Sequence, residues 1–234
     1  MRRALVSIAL LALAAAPLAL AQGEGAYQTS SYRLSQKAPG KSTSEHFVFD
    51  YVNPADPAAK PPPVRKVTTV LPKGASYDTS VPEACTAGDA ELMVSGGAAC
   101  PEGSAIGGGV VTVDTGVPGP GRIVTADVEF FNNADEFIYV NTVRGSTART
   151  IIRAEVTDRL TITEAGMLPG TAPDGGAIDT VDITVAGVHT ERGNYITTPQ
   201  RCPKDRTWTT RVRFEYDGGV AQTVPTDNPC RKAR

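Results

Sequence analysis

Two histidines, one serine beside a glycine run and a pair of closely spaced carboxylates are the side chains of this sequence that could do chemistry. His46 stands next to Glu45 ahead of an apolar run, and His189 ends the strand-like part of AGVHTERG. A serine hydrolase would need one of them as general base, with Ser104 of EGSAIGGG as nucleophile. The segment GSAIG is not the G-x-S-x-G elbow, which also requires a strand before it and a helix after it. Asp127 and Glu129 are two residues apart and share one face of a strand, a spacing from which a glycosidase acid and base could be built. Asn132, Asn133, Asp135 and Glu136 are rich in oxygen ligands, but the EF-hand pattern is absent and turn chemistry accounts for them. Gly107-Gly108-Gly109 leads into VVTVDTG, a strand, so no helix N-terminus follows to receive a phosphate, and neither glycine fingerprint for nucleotides is present. Close backbone approach is the expected role of these glycines. With aromatics at 6% and Trp208 the single tryptophan, flat platforms for sugars are not evident. No catalytic, cofactor-binding or metal-ligating residue is therefore assigned, and no cofactor is expected.

Cysteine is informative only once the compartment is known. Residues 1–21 have a basic start at Arg2 and Arg3, an apolar run, Pro17 as a helix breaker and the small-residue ending Ala19-Leu20-Ala21. This is the pattern of a secretory signal peptide cut before Gln22. No cysteine stands just after the cut, so a lipid anchor is not expected, and no later apolar run reaches the ~20 residues that span a bilayer. The expected product is secreted and soluble. Loss of Arg2 and Arg3 takes the balance from 23 basic and 25 acidic residues to 21 and 25, which gives no electrostatic case for nucleic acid or an anionic membrane. In an exported chain, Cys85, Cys100, Cys202 and Cys230 read as disulfide partners, since neither C-x-x-C nor zinc spacing occurs.

The elements that must position these groups are short and β-branched. Strands are predicted over residues 47–52, 67–71, 110–114, 123–131, 137–143, 150–156, 160–164, 178–188, 207–216 and 220–224. In VDITVAGV, Val181, Ile183 and Val185 alternate with Asp182 and Thr184, implying one buried face and one wet face. Turn residues stand at Asn132-Asn133, Asp158-Arg159, Pro173-Asp174-Gly175-Gly176 and Asp217-Gly218-Gly219. Residues 22–45 are polar and expected to form a flexible N-terminal arm. NPADPAAKPPP, at residues 53–63, is an extended loop because proline lacks a ladder donor. The expectation is one all-β domain over residues 46–234, an antiparallel β-sandwich of Ig-like or jelly-roll-like type with one short disulfide-bracketed helix.

That helix is predicted between Thr86, which with Asp89 resembles a capping box, and the stop at Gly96-Gly97. Two turns do not hold themselves together, and a Cys85–Cys100 bond would contribute on the order of 3 kcal/mol. Near the C-terminus, Trp208, Val212, Phe214 and Tyr216 share one face of a strand. A three-residue loop at Asp217-Gly218-Gly219 sets Val220 opposite Tyr216 and Val224 opposite Val212, keeping apolar with apolar. That register brings Cys230 opposite Arg206 and within reach of Cys202.

The series Leu71-Pro72-Lys73-Gly74, Cys85, Ala99-Cys100-Pro101 with Gly103-Ser104, Gly107-x-Gly109, Cys202-Pro203 and Asp217-Gly218 before Pro229-Cys230 resembles a group of uncharacterised secreted β-rich proteins of actinobacteria. They share an LPxG turn, an ACPxxS segment and a C-terminal cysteine hairpin. The resemblance covers the chain from about Val64 onward and implies export, a β-rich fold and paired cysteines, and no activity. The expected role is a secreted, non-enzymatic binding or cell-envelope interaction protein, its partner an unidentified protein or envelope ligand. The alternatives are a hydrolase using a carboxylate pair such as Asp127 and Glu129, and a calcium-stabilised structural protein. Acids converging in a cleft would favour the first, a flat apolar patch partner binding, and clustered oxygens calcium.

Overall fold

The computed structural model describes residues 25–231 apart from 167, 173 and 174. The segment read as a signal peptide, residues 1–21, with its expected cleavage site, the turn residues Pro173 and Asp174 and the tail beyond Arg231 lie outside the described residues. Among these the chain forms β1 (Gln28–Leu34), β2 (Glu45–Tyr51), β3 (Val64–Val70), β4 (Ser76–Tyr77), α1 (Asp89–Ser95), β5 (Ala105–Asp114), β6 (Ile123–Asn133), β7 (Glu136–Val143), β8 (Arg149–Val156), β9 (Leu160–Glu164), β10 (Ala177–Val185), β11 (His189–Thr190), β12 (Gly193–Asn194), β13 (Ile196–Thr197), β14 (Thr207–Tyr216) and β15 (Ala221–Pro229). Each of the ten predicted strands is present. The protein is all-β and antiparallel, with one short helix bracketed by a disulfide. The opposed layers expected of a sandwich belong to one eleven-stranded sheet, ordered β1-β2-β10-β5-β6-β7-β8-β9-β3-β14-β15, which curls nearly into a barrel.

The flexible arm expected over residues 22–45 is corrected in part: β1 pairs with β2 along its whole length, from Gln28 opposite Tyr51 to Leu34 opposite Glu45. Tyr32 and Leu34 are buried beneath it, apolar anchors that a polar average over the segment conceals.

Why the barrel does not close by a ladder follows from its strand count and its prolines. Eleven strands with every neighbouring pair antiparallel leave the two edges, β1 and β15, running in the same direction. The Cys230 N–H donates to Arg206 O and the Tyr216 N–H to Val220 O, so even-numbered β15 residues face β14. Pro225 and Pro229, opposite Arg211 and Thr207, therefore turn their nitrogens toward β1 and have no proton to give. Side chains bridge the gap instead. Leu34 N–H donates to Asn228 Oδ1 at 2.8 Å, Asn228 Nδ2 to Tyr32 O at 3.3 Å, and Tyr27 N–H to Gln222 Oε1 at 3.0 Å. The Tyr216 hydroxyl also donates to Gln28 Oε1.

Backbones approach most closely at the glycines of β5. A Cβ at Gly107 or Gly109 would come within 2.0 Å of Thr184 O or 2.1 Å of Asp182 O on β10, so these positions admit only glycine. This is the close backbone approach expected of the triplet.

Both faces of β7 are apolar. Phe137 points inward, while Ile138 and Val140 point outward and are fully buried beneath α1, against Leu92, Phe131 and Ile151. Two arginines of β8 hold the ends of this helix. Arg153 pairs with Asp89 at 2.8 Å and donates to Ala87 O, and Arg149 donates to Met93 O and Val94 O at 3.1 Å. The helix begins at Asp89 with Gly88 as its N-cap, later than the Thr86 start predicted. Cys85, its N–H on Asn132 O, keeps the chain extended through that point. Gly96, at φ 61°, ends the helix as expected.

Both disulfides form as paired from the sequence, Cys85–Cys100 with Cα atoms 4.9 Å apart and Cys202–Cys230 at 5.6 Å. The β14–β15 hairpin has the predicted register, with Val212 opposite Val224. The β6–β7 turn falls at Ala134-Asp135, after the predicted Asn132-Asn133, and Asp135 takes the positive φ.

Candidate functional site

The interior of the curled sheet is unevenly filled because its strands carry side chains of different reach. Aromatic residues enter chiefly from β1, β2 and β14, where Phe214 meets Phe49 and Tyr51 edge-on with ring centroids 5.2 and 5.8 Å apart. Along β5, β6 and β10 the inward positions are mostly valine and alanine, among them Val111, Val113, Val124, Ala126, Val128 and Val181. Such short side chains do not meet across an eleven-stranded ring, since barrel width grows with strand number. A cavity of about 420 Å³ remains between them, a volume typical of small-molecule sites. Val111, Val113, Val181 and Ile183 are only half-buried although they point inward, because they line this space.

One end is closed. Leu71, Ala75, Tyr77, Val81, Tyr195 and Ile196 come from the connections that follow β3 and β10 and are packed into the core beyond Phe47, Phe137 and Val185. Tyr77 N–H donates to Asp158 O and Leu71 N–H to Arg159 O, fixing this cover to the β8–β9 turn. Around the opposite end stand Thr115, Val143, Ala148, Arg149, Ala165, Leu168 and Pro169, from the β5–β6, β7–β8 and β9–β10 connections. That end is the mouth.

A few polar groups interrupt the apolar wall, and they fall on β3, β7, β8 and β9. Tyr139 Oη lies 3.2 Å from Thr163 Oγ1, and burial pushes its hydroxyl up to about 12. Asn141 Nδ2 donates to Thr150 O at 3.2 Å near the mouth. Thr69 and Thr161 face each other across β3 and β9 and are 4% and 6% exposed, yet neither hydroxyl has a hydrogen-bond partner among the described residues. Among the described residues Arg149 is the only cation of the lining, and its Nη1 donates to the helix carbonyls outside.

Beyond the closed end lies a buried acid. Glu45 is fully buried and accepts from the Tyr77 hydroxyl at 3.0 and 2.8 Å, with no ion pair reaching it among the described residues. Burial raises its carboxyl from the ordinary 4.5 to about 7, opposed by the hydrogen bond from Tyr77. The same burial, with the adjacent carboxylate, pushes the Tyr32 and Tyr77 hydroxyls well up.

The residues singled out by type and spacing all lie away from the cavity. His46 Nε2 sits 2.8 Å from Asp182 Oδ1 on the outer face, and His189 Nδ1 2.7 Å from Asn194 Oδ1 on an exposed ribbon. Ser104 is buried and donates to Pro101 O at 2.6 Å. Asp127 and Glu129 do share a face, but it is the outer one, where Asp127 pairs with Arg144 at 2.8 Å. Asn132 is buried and donates to Thr79 O and Glu83 O, tying down the loop before Cys85. Among the described residues no group of three His, Cys, Asp or Glu is placed to hold a metal ion.

Comparison of the chain with family models, curated proteins and solved structures finds no match. The cavity itself was not foreseen from the sequence. Its signal is the contrast between the aromatic inward positions of β2 and β14 and the valine, threonine and alanine positions of β5, β6, β9 and β10.

Proposed function

We propose that this is an exported, non-enzymatic binding protein that holds one apolar small molecule inside its curled sheet. The observation that carries this is the open-ended, largely apolar cavity of about 420 Å³. The absence of any histidine, serine–histidine pair or carboxylate pair from its lining favours binding over hydrolysis. Two disulfides are in keeping with an oxidising destination, as are the leader-like residues 1–21 and the resemblance to secreted actinobacterial proteins. The ligand thus takes the place of an envelope partner docked on the outer surface.

A neutral fluorescent probe, N-phenylnaphthylamine, tests the assignment. Saturable binding to a single site is expected, and it should be abolished by Ala126→Trp, which projects an indole into the cavity from the middle of β6. Melting curves and near-ultraviolet circular dichroism establish that this variant is folded. Probe binding that survives in the folded variant would refute an interior site.

A further inference from the structure

Resting on the cavity as a ligand site, we infer that its occupant carries a neutral oxygen-bearing head, an alcohol, ester or ketone, which enters first and is held by Thr69 and Thr161, with the hydrocarbon tail toward the mouth. The two threonines face each other where β3 ends and β9 begins, beside the β8–β9 turn that anchors the cover, so they are deep in the cavity. Both are more than nine-tenths buried, both belong to the lining, and neither hydroxyl has a partner among the described residues. Two hydroxyls that line the cavity at one spot of an otherwise apolar wall, with no partner among the described residues, mark the place where a ligand atom completes the bonding. The neighbouring Tyr139–Thr163 pair extends the same polar strip, and each of these hydroxyls can donate or accept.

Charge selects the head. Among the described lining residues Arg149 is the single cation, and it stands at the mouth with its Nη1 donating to Met93 O and Val94 O. A carboxylate head would be buried without a counter-ion and would approach Glu45 beyond Phe47 and Phe137. An ammonium head would find no acceptor of opposite charge in the lining, Glu45 being outside it and engaged by Tyr77. A neutral oxygen needs neither. The opposite wall, on β5 and β10, offers only hydrocarbon to a chain running toward Leu168 and Pro169.

Competition against bound N-phenylnaphthylamine by decanol, decanoate and decylamine tests this directly. Decanol is expected to displace the probe at concentrations at least about ten-fold below the two charged analogues. The double variant Thr69→Val/Thr161→Val should weaken decanol by about ten-fold. It should leave the probe's own affinity unchanged and should not lower the melting temperature, because the replaced hydroxyls bond nothing in the protein. Preference for decanoate or decylamine, or decanol binding indifferent to the double variant, would overturn the inference while the cavity assignment stands. Failure of the probe to bind at all would overturn the cavity assignment and this inference with it.

Discussion

Replacing Glu45 by glutamine should abolish a definable part of the protein's pH dependence. The carboxyl is fully buried, bonded only by tyrosine hydroxyls, and raised by burial from 4.5 to about 7. In the unfolded chain it loses its proton near the ordinary value, whereas in the folded protein it keeps the proton until near neutrality. Between those limits the native state binds more protons than the unfolded one, so stability falls as pH rises through that window and levels off above it. The shift corresponds to about 3 kcal/mol of native-state stability present in mild acid and lost by slightly alkaline pH. Urea unfolding with the disulfides intact, at about pH 5 and about pH 8, measures it. Wild type should lose about 3 kcal/mol more than Glu45→Gln between the two conditions, and the glutamine variant should be the more stable at the higher pH. Other titrating groups are common to both proteins and cancel in the difference. Identical pH dependences would refute the reasoning, because they would mean that the Tyr77 hydroxyl fully compensates the buried charge.

Joint replacement of Cys202 and Cys230 by alanine should cost on the order of 3 kcal/mol, and non-reducing peptide maps should join Cys85 to Cys100 and Cys202 to Cys230 with no fragment crossing between the pairs. Gly109→Val should destabilise by on the order of 3 kcal/mol or prevent folding, since its Cβ would stand 2.1 Å from Asp182 O; Gly218→Ala, with open space around a positive φ, should cost only about 1 kcal/mol by thermal unfolding. Combining His46→Ala, His189→Ala and Asp127→Asn on the outer surface should leave N-phenylnaphthylamine affinity within about two-fold of wild type.

What the sequence made legible was local. The alternation in β14, with Trp208, Val212, Phe214 and Tyr216 on one face, and the loop arithmetic at Asp217-Gly218-Gly219 determined the hairpin register and through it the Cys202–Cys230 pair. Turn length and period two are near-neighbour properties, so a single segment contains all the information they need. Strand order is not local, and neither is the cavity. That β2 and β10 lie side by side, bringing Glu45 opposite Val185, depends on residues far apart in the chain. Nothing in the segment around Glu45 announces its burial, for a polar arm on one side and His46 on the other make it read as a surface residue. The outward Ile138 and Val140 of β7 did carry a signal: the run Phe137–Val140 has no polar alternation, which is how a strand covered on both faces reads. The chemistry-bearing side chains misdirect for a related reason. Histidines and paired acids stand out by type, whereas a site of valines, alanines and two threonines stands out only when the sheet is curled and its interior is found incompletely filled.

The central claim is that an apolar molecule occupies the interior, and methyl-resolved NMR during titration with N-phenylnaphthylamine tests it most directly. The expected result is saturable shifts at Val111, Val113, Val128, Val181 and Ile183, which line the cavity, with Met93 and Val94, exposed at 44% and 79% on the outer helix, unmoved. Shifts confined to Met93 and Val94, with the inward valines silent, would contradict it and assign the binding to the outer surface.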